Sequence, residues 1–294
     1  METVSAAPVG ARGNVPAGEK PLLEVRNLEM RYGKTLVQQG VSFSVEVGKI
    51  FAIMGVSGCG KSTLLRQLIG LLQPAGGQVL FRGTDYWAGN TQVRAKLRSG
   101  CGMLFQSAAL WSSMTLLENV CLPLEQLTKL DRGQREARAA EVLGWVELEK
   151  FGAYYPADLS GGMKKRAGLA RAIAASPPLL LLDEPSSGLD PINSKHLDDL
   201  ILDVRKRTGA AVVLVSHELP SLLAIADDGI FLDADSKRPI AHGRPKALRD
   251  HPEHPTVRAF MLRDDLPAQQ GAAPEPDPDQ DQDQDQDRQN TGST

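Results

Sequence analysis

Ile50-Phe51-Ala52-Ile53-Met54-Gly55-Val56-Ser57-Gly58-Cys59-Gly60-Lys61-Ser62-Thr63 is an apolar run that ends in a glycine-rich turn. The run reads as a short buried parallel strand. Gly55-x-x-x-x-Gly60-Lys61-Ser62 then has the spacing of a phosphate-binding loop. Thr63 to Ile69 supplies helix formers with an apolar face. A phosphate chain must be wrapped at close range by backbone N–H groups. Gly55, Gly58 and Gly60 let the backbone turn and approach with no Cβ in the way. The helix that opens after Gly60 aims its positive dipole end at the phosphates. Lys61 reaches the β- and γ-phosphates, and the Ser62 hydroxyl is placed to ligate Mg²⁺. Gly55, Ser57, Gly58, Cys59, Gly60, Lys61, Ser62 and Thr63 are thus the expected nucleoside triphosphate site.

Working outward, 294 residues allow one large domain or two modest ones. A chain 41% hydrophobic and 23% charged has the composition of a protein with a real core. No apolar run reaches the ~18–20 residues of a membrane span. Met1 to Lys20 has no apolar h-region, which reads against a secretory signal. Cys59, Cys101 and Cys121 lack metal-ligand spacing, and a sparse odd set suits a reducing compartment. Cys59 has two readings, a small structural filler or an oxidation-sensitive thiol. From Pro267 onward seven acidic residues and one Arg contribute −6, so the rest of the chain is about +3 of the total −3. Basic residues are interspersed with acidic ones, which reads against a nucleic-acid surface.

Residues 1–20 are rich in Ala, Gly and Pro and read as disordered. Strands are expected at Leu22–Met30, Val41–Val45, Gln78–Phe81 and Gly102–Gln106, with a turn at Tyr32-Gly33 and a short helix at Gln92–Arg98. From Ser107 to about Tyr155 the pattern turns helical, broken at Pro123. Helices at Ser160–Ala175 and Pro191–Arg207 alternate with buried strands at Leu179–Asp183 and Ala211–Ser216. Asp228–Asp233 and Arg238–His242 form a closing pair, and Pro255–Leu262 a terminal helix. Alternating β and α segments argue for a mostly parallel sheet covered on both faces, with the helical interval as an inserted subdomain. The Pro/Asp/Gln tail at 274–287 reads as disordered, either a solvated tail or a partner-binding one.

Leu159-Ser160-Gly161-Gly162-Met163 narrows the choice among P-loop proteins. It resembles the LSGGQ signature of ATP-binding cassette (ABC) ATPases. Leu179-Leu180-Leu181-Leu182-Asp183-Glu184 resembles a Walker B strand, and Ser187-Gly188-Leu189-Asp190 a D-loop. Gln106 matches the Q-loop, His217 the switch histidine and Tyr32 the A-loop aromatic. These matches cover roughly residues 22–250 in the family's order. The resemblance implies an α/β P-loop NTPase fold: a RecA-like, mostly parallel sheet, an antiparallel β subdomain and an α-helical subdomain inserted at about 107–165. It places the ATPase domain at 21–250, a helical extension at 251–266 and an acidic disordered tail at 267–294.

The resemblance also implies roles. Tyr32 stacks on adenine. Asp183, with Ser62 and Gln106, serves Mg²⁺. Glu184 orients or deprotonates the attacking water. Gln106 touches metal and water, and His217 donates to the γ-phosphate. Ser160, Gly161 and Gly162 open a helix as a second anion site for the γ-phosphate held by an opposite subunit, with Asp190 at the same interface. The implied unit is a head-to-tail homodimer with two ATPs between its subunits.

Phe105–Gln126 and the run from Leu159 through Met163-Lys164-Lys165-Arg166 to Ala174 are similar to the Mla-type (Mkl/Ttg2-like) ATPases. That family moves phospholipid or other lipid across the cell envelope with an integral-membrane permease and a mammalian-cell-entry (MCE) lipid-binding protein. The implied place is the cytoplasmic face of the inner (plasma) membrane, as a peripheral subunit. Ser186 departs from the Thr of most relatives and keeps the hydroxyl. Amino-acid or metal transporters, and a soluble Fe–S assembly ATPase, are the alternatives. Leu110, Trp111 and Met114 are either the permease docking groove or core of the helical subdomain. Helix Pro255–Leu262 either packs on its own domain or serves the dimer.

Overall fold

The computed structural model of the chain describes residues 20–262. The first half contains β1 (Leu23–Tyr32), β2 (Thr35–Val45), β3 (Ile50–Met54), α1 (Lys61–Leu68), β4 (Gly76–Phe81), β5 (Thr84–Asp85), α2 (Thr91–Arg98) and β6 (Cys101–Leu104). Helices α3 (Leu116–Leu127), α4 (Arg132–Trp145) and α5 (Gly161–Ile173) follow. The chain then alternates through β7 (Leu179–Asp183), α6 (Pro191–Thr208), β8 (Ala211–Val215), α7 (Leu219–Ile225), β9 (Asp228–Leu232) and β10 (Pro239–His242). It closes on α8 (Pro245–Asp250) and α9 (Pro255–Met261). Among the described residues the strands form an antiparallel sheet in the order β2-β1-β4-β5 and a larger sheet in the order β10-β9-β3-β8-β7-β6. In the larger sheet every neighbouring pair is parallel except β9–β10. The expected α/β fold, with a mostly parallel sheet and a closing pair, is the fold observed. No helix among the described residues is long and apolar enough to cross a membrane.

Parallel strands covered on both faces need unbroken apolar runs, and β3 and β8 are buried along their whole length. β7 is buried through Leu182 and leaves only Asp183 partly open. Successive side chains point to opposite faces, so each strand feeds two cores. Ile50, Ala52 and Met54 of β3, Leu180 and Leu182 of β7, and Val212 and Leu214 of β8 pack with helices α3 to α7 and α9. Phe51, Ile53, Leu179, Leu181, Val213 and Val215 pack with the antiparallel sheet and α1. Register places Ile53 beside Val215, Val215 beside Asp183, and Leu182 beside Leu104. The segments that leave β3, β8, β7 and β6 therefore emerge along one rim, about 4.8 Å from strand to strand, where open α/β sheets place their ligands.

Several boundaries differ from the sequence expectation. β2 begins at Thr35 rather than Val41, because Tyr32 pairs directly with Thr35 across a turn at Gly33. Residues 107–115 are loop, not helix, and α3 starts only at Leu116. Pro123 does not break α3. It forfeits one intrahelical bond, but a Thr115–Glu118 capping box fixes the start, and Leu116, Val120 and Leu124 bury one face. The expected subdomain limit at 165 falls inside α5, whose later turns lie on β6: a Cβ at Gly102 would meet the Ala172 carbonyl at 2.1 Å. Helices α7 and α8 carry no clear periodicity over six or seven residues and are not foreseen. Helix α9 ends at Met261 and buries Val257, Phe260 and Met261, with the Phe260 ring edge-on to Phe231 at 5.0 Å. Its apolar face is therefore spent on its own domain. The disorder expected for 1–20 falls outside the described residues apart from Lys20, and that expected for 267–294 and residues 263–266 of the expected extension fall outside them entirely.

Candidate functional site

The phosphate-binding loop leaves β3 at Met54 with Gly55, Gly58 and Gly60 at φ 145°, 75° and 99°. Two of these positions also lack room for a side chain. A Cβ at Gly55 would meet the Leu232 carbonyl at 2.4 Å and Cys59 Sγ at 2.6 Å; one at Gly60 would meet Val37 Cγ1 at 2.6 Å. α1 begins on Gly60 with no side chain capping its first N–H groups, the arrangement that receives an anion. Lys61 Nζ donates to the carbonyls of Gly55 and Val56 at 2.9 and 3.1 Å, and so arches over the loop. Ser62 is exposed. Thr63 Oγ1 donates to the hydroxyl of Tyr32 at 3.4 Å, which sets that half-exposed ring beside the start of α1.

Cys59 is buried, and burial pushes its thiol above the ordinary range, with Lys61 opposing. Burial likewise raises Cys101, to about 12, and Cys121. A raised, buried thiol is a poor thiolate, which favours the filler reading of Cys59 over the oxidation-sensitive one. A residue that the sequence does not advertise holds this loop from behind. Gln38 on β2 is fully buried, and its Nε2 donates to the Cys59 carbonyl at 2.9 Å and the Asp233 carbonyl at 2.7 Å.

Asp183, Glu184, His217 and Gln106 stand along the same rim. Burial, reinforced by Glu184, raises the Asp183 carboxyl to about 6, against the pull of Arg66, Lys61 and Lys165. Its Oδ1 is buried without a hydrogen-bond partner. A buried carboxylate oxygen with no hydrogen-bond partner is costly to keep ionised, which is why burial dominates this carboxyl. Glu184 takes the left-handed φ of 45°, and its backbone N–H bonds the Val215 carbonyl at 2.9 Å. Its Oε2 accepts from the His217 backbone N–H at 3.2 Å and lies 2.7 Å from His217 Nδ1. A neutral imidazole carries one N–H, so a ring that donates to Glu184 through Nδ1 donates to a phosphate through Nε2 only as imidazolium.

Gln106 is exposed just past β6, and its carbonyl accepts from Lys165 Nζ. The same Nζ donates to the Glu184 carbonyl at 3.0 Å. Burial pulls the Lys165 ammonium below its ordinary range, with Glu184 and Asp183 opposing.

Ser160–Gly162 and Asp190 form a second group. Ser160 caps α5, its Oγ accepting from the Met163 N–H at 3.3 Å. Asp190 caps α6, accepting from the Ile192 and Asn193 N–H groups at 3.0 and 3.1 Å and from Asn193 Nδ2 at 2.5 Å. These bonds hold the Asp190 carboxyl below its ordinary range. A Cβ at Gly162 would lie 3.7 Å from Asn193 Oδ1, so the two helix starts are neighbours.

The loop between β6 and α3 is knotted by Asn119, whose amide bonds the backbone of Trp111, Met114 and Thr115. Trp111 is 61% exposed, whereas Leu110 leans on the helical core. Trp111, Phe105, Met103, Pro123, Leu127 and Arg171 line a cleft of about 350 Å³.

A family model described as ABC transporter matches residues 38–187. The intermembrane phospholipid transport ATP-binding protein MlaF of Escherichia coli K12 is 40% identical over 240 residues, 82% of this chain and 88% of MlaF. The methionine import ATP-binding protein MetN of Mesorhizobium japonicum is 36% identical over 269 residues, 91% of this chain and 72% of MetN. The probable ribonucleotide transport ATP-binding protein mkl of Mycobacterium leprae is 33% identical over 255 residues, 87% of this chain and 72% of mkl. Among solved structures, cbiO1 of Clostridium perfringens, part of an ABC transporter complex, superposes with a TM-score of 0.73 at 26% identity, covering 84% of this chain and 96% of that one. The ATP-binding cassette MJ0796, dimeric and bound to ADP and Pi in a post-hydrolysis state, gives 0.69 at 28% identity over 76% and 98% of the two chains. The chain belongs to the ABC transporter family, as an ATP-binding subunit that hydrolyses ATP.

Proposed function

We propose that this subunit powers lipid movement across a cell envelope. The observation that carries the reading is the extent of the likeness to MlaF, 40% identity across 88% of that protein. Methionine import is the second reading: MetN aligns with more of this chain, though with 72% of its own length. In the proposed assembly two copies pair head to tail and dock on a permease at the cytoplasmic face of the inner membrane, with an MCE-type lipid-binding protein as third component. The cleft beside Trp111 is concave, mixes polar and apolar lining in about equal parts and leaves the Trp111 ring exposed, the character of a surface that receives a partner's helix.

The residues of one copy divide the work. Gly55–Thr63 wrap the phosphates with backbone N–H groups, Lys61 swings from the loop carbonyls to the γ-phosphate, and Tyr32 offers its ring to adenine. Asp183, Ser62 and Gln106 supply hard oxygen donors, and the unpaired Oδ1 of Asp183 fits Mg²⁺. Bound there, the cation would draw charge from the phosphate oxygens. Glu184, aimed by His217, takes the proton of the attacking water, and Gln106 orients that water. Ser160–Gly162 receive the γ-phosphate of the opposite copy, and Asp190 lies at the same seam as the cap of α6.

The test is affinity purification of the full chain from detergent-solubilised native membranes, with mass spectrometry of its companions. A multispan permease with an MCE-domain protein supports the lipid reading. A permease with an amino-acid-binding protein transfers the assignment to methionine-type import. Soluble companions alone discard the transporter role.

A further inference from the structure

Lysine is among the side chains least often buried, yet Lys165 is 7% exposed. Its neighbour Lys164 keeps partial exposure on the same helix. The Lys165 side chain does not satisfy α5. It reaches across to two carbonyls on two different loops, those of Gln106 after β6 and Glu184 after β7. β6 and β7 are adjacent parallel strands, with Leu104 beside Leu182, so the two carbonyls leave the sheet side by side. Glu184 needs such a hold. Its left-handed backbone is a sparsely populated conformation for a side-chain-bearing residue. The preceding peptide is tied by its N–H to Val215, and the following one by its carbonyl to Lys165. The helix is also pressed against this region: a Cβ at Gly168 would meet Leu104 Cδ1 at 2.6 Å and Ala108 Cβ at 3.1 Å.

We propose that Lys165 is a positioning residue for hydrolysis, whose single ammonium fixes the backbones of Glu184 and Gln106 relative to each other and to the helix that Ser160 opens. The inference rests on the roles proposed above for Glu184 and Gln106. It gives the signature segment a direct mechanical grip on the backbone of both water-handling residues. Engagement of Ser160–Gly162 at the start of α5 then bears on the attacking water through Lys165, without passing through the nucleotide.

The experiment uses the full-length chain in its membrane complex. Lys165→Met, Lys165→Arg and Glu184→Gln are compared with wild type for kcat, KM for ATP and melting midpoint. Loss of positioning without loss of a substrate contact lowers kcat by about 10²-fold in Lys165→Met and leaves KM within about twofold. Lys165→Arg keeps donors and is expected to recover about tenfold of that loss. Should Lys165→Met fail to fold, Lys165→Gln, which keeps one amide donor group, is judged on the same split of kcat from KM. A kcat near wild type, a parallel rise in KM, or equal losses in the Met and Arg variants that follow the melting midpoint would overturn the proposal. Glu184→Gln separates the two levels of the argument. If it turns over normally, the role of Glu184 fails and Lys165 falls with it. If it is inactive while Lys165→Met is active, the Lys165 inference alone fails.

Discussion

Arg171 holds a strained loop in place, and its removal has a calculable effect. Ala108 and Ala109 stand in the left-handed region one after the other, at φ 61° and 45°. Each such residue costs about 1–2 kcal/mol, so the pair stores roughly 2–4 kcal/mol. The Arg171 guanidinium spans both, donating to the Ala108 carbonyl at 2.8 Å and the Ala109 carbonyl at 2.7 Å. Bonds from a charged donor contribute about 1.5–3 kcal/mol each, enough to offset the strain. Arg171→Met keeps an apolar stem and removes both donors. The alanines then relax to ordinary backbone, which recovers part of the loss. A remainder of about 2 kcal/mol corresponds to a roughly 30-fold larger opening constant for residues 107–115. Native-state hydrogen exchange read by mass spectrometry measures this directly, with β8 as the unaffected control. A second variant checks the cause. Ala109→Gly removes the Cβ penalty at an exposed position, and so slows opening in the wild type but has little effect once Arg171 is gone. Unchanged exchange in Arg171→Met, or an equal effect of Ala109→Gly in both backgrounds, refutes the account.

Three further outcomes follow from the same contacts. Lys61→Ala is expected to weaken ATP affinity by about tenfold or more, since a charge-assisted contact is lost; titration with a fluorescent nucleotide reads it, and normal affinity removes Lys61 from the site. Phe260→Ala takes a 4% exposed ring off Phe231 and is expected to cost about 3–5 kcal/mol in urea unfolding, whereas a cost under 1 kcal/mol would mean that α9 does not pack on its own domain. Asp198 is buried on α6, accepts from Ser221 Oγ at 2.6 Å, and is raised by burial to about 6. Between pH ~4 and ~6 the unfolded chain releases this proton before the folded one, so Asp198 contributes stability at low pH that is lost as pH rises, about 3 kcal/mol in all. Asp198→Asn is therefore expected to gain on wild type as pH increases through that window, and a pH-independent difference in urea midpoints would contradict the burial of an ionisable carboxyl.

How much of this was legible beforehand follows physical lines. The phosphate loop is spelled in glycines because close approach and positive φ leave few other residues possible at Gly55 and Gly60. β3, β7 and β8 are visible because a strand buried on both faces must be apolar throughout. Asp183 is legible as the polar end of such a strand. Lys165, Gln38 and Arg171 are not. A lysine in Met163-Lys164-Lys165-Arg166 has the spelling of a solvated helix face, and nothing local says that it bends to carbonyls 59 and 19 residues away. Gln38 sits in a polar stretch that hides the first half of β2. Pro123 misleads in the opposite sense, because propensity is local while the burial that carries α3 across it is not. Ser160 and Asp190 each carry two readings: the oxygen that caps a helix is also the group foreseen at the seam between copies.

The alternation along β3, β7 and β8 makes the large sheet a partition between two separately packed interiors. A volume change at Leu180 or Leu214 is absorbed among the helices, while one at Leu181 or Val213 is absorbed beside the antiparallel sheet and α1. Divergence on one side therefore need not be matched on the other. A lineage can remodel the helical side, where Trp111 and its cleft stand, and inherit the α1 side of the sheet unaltered.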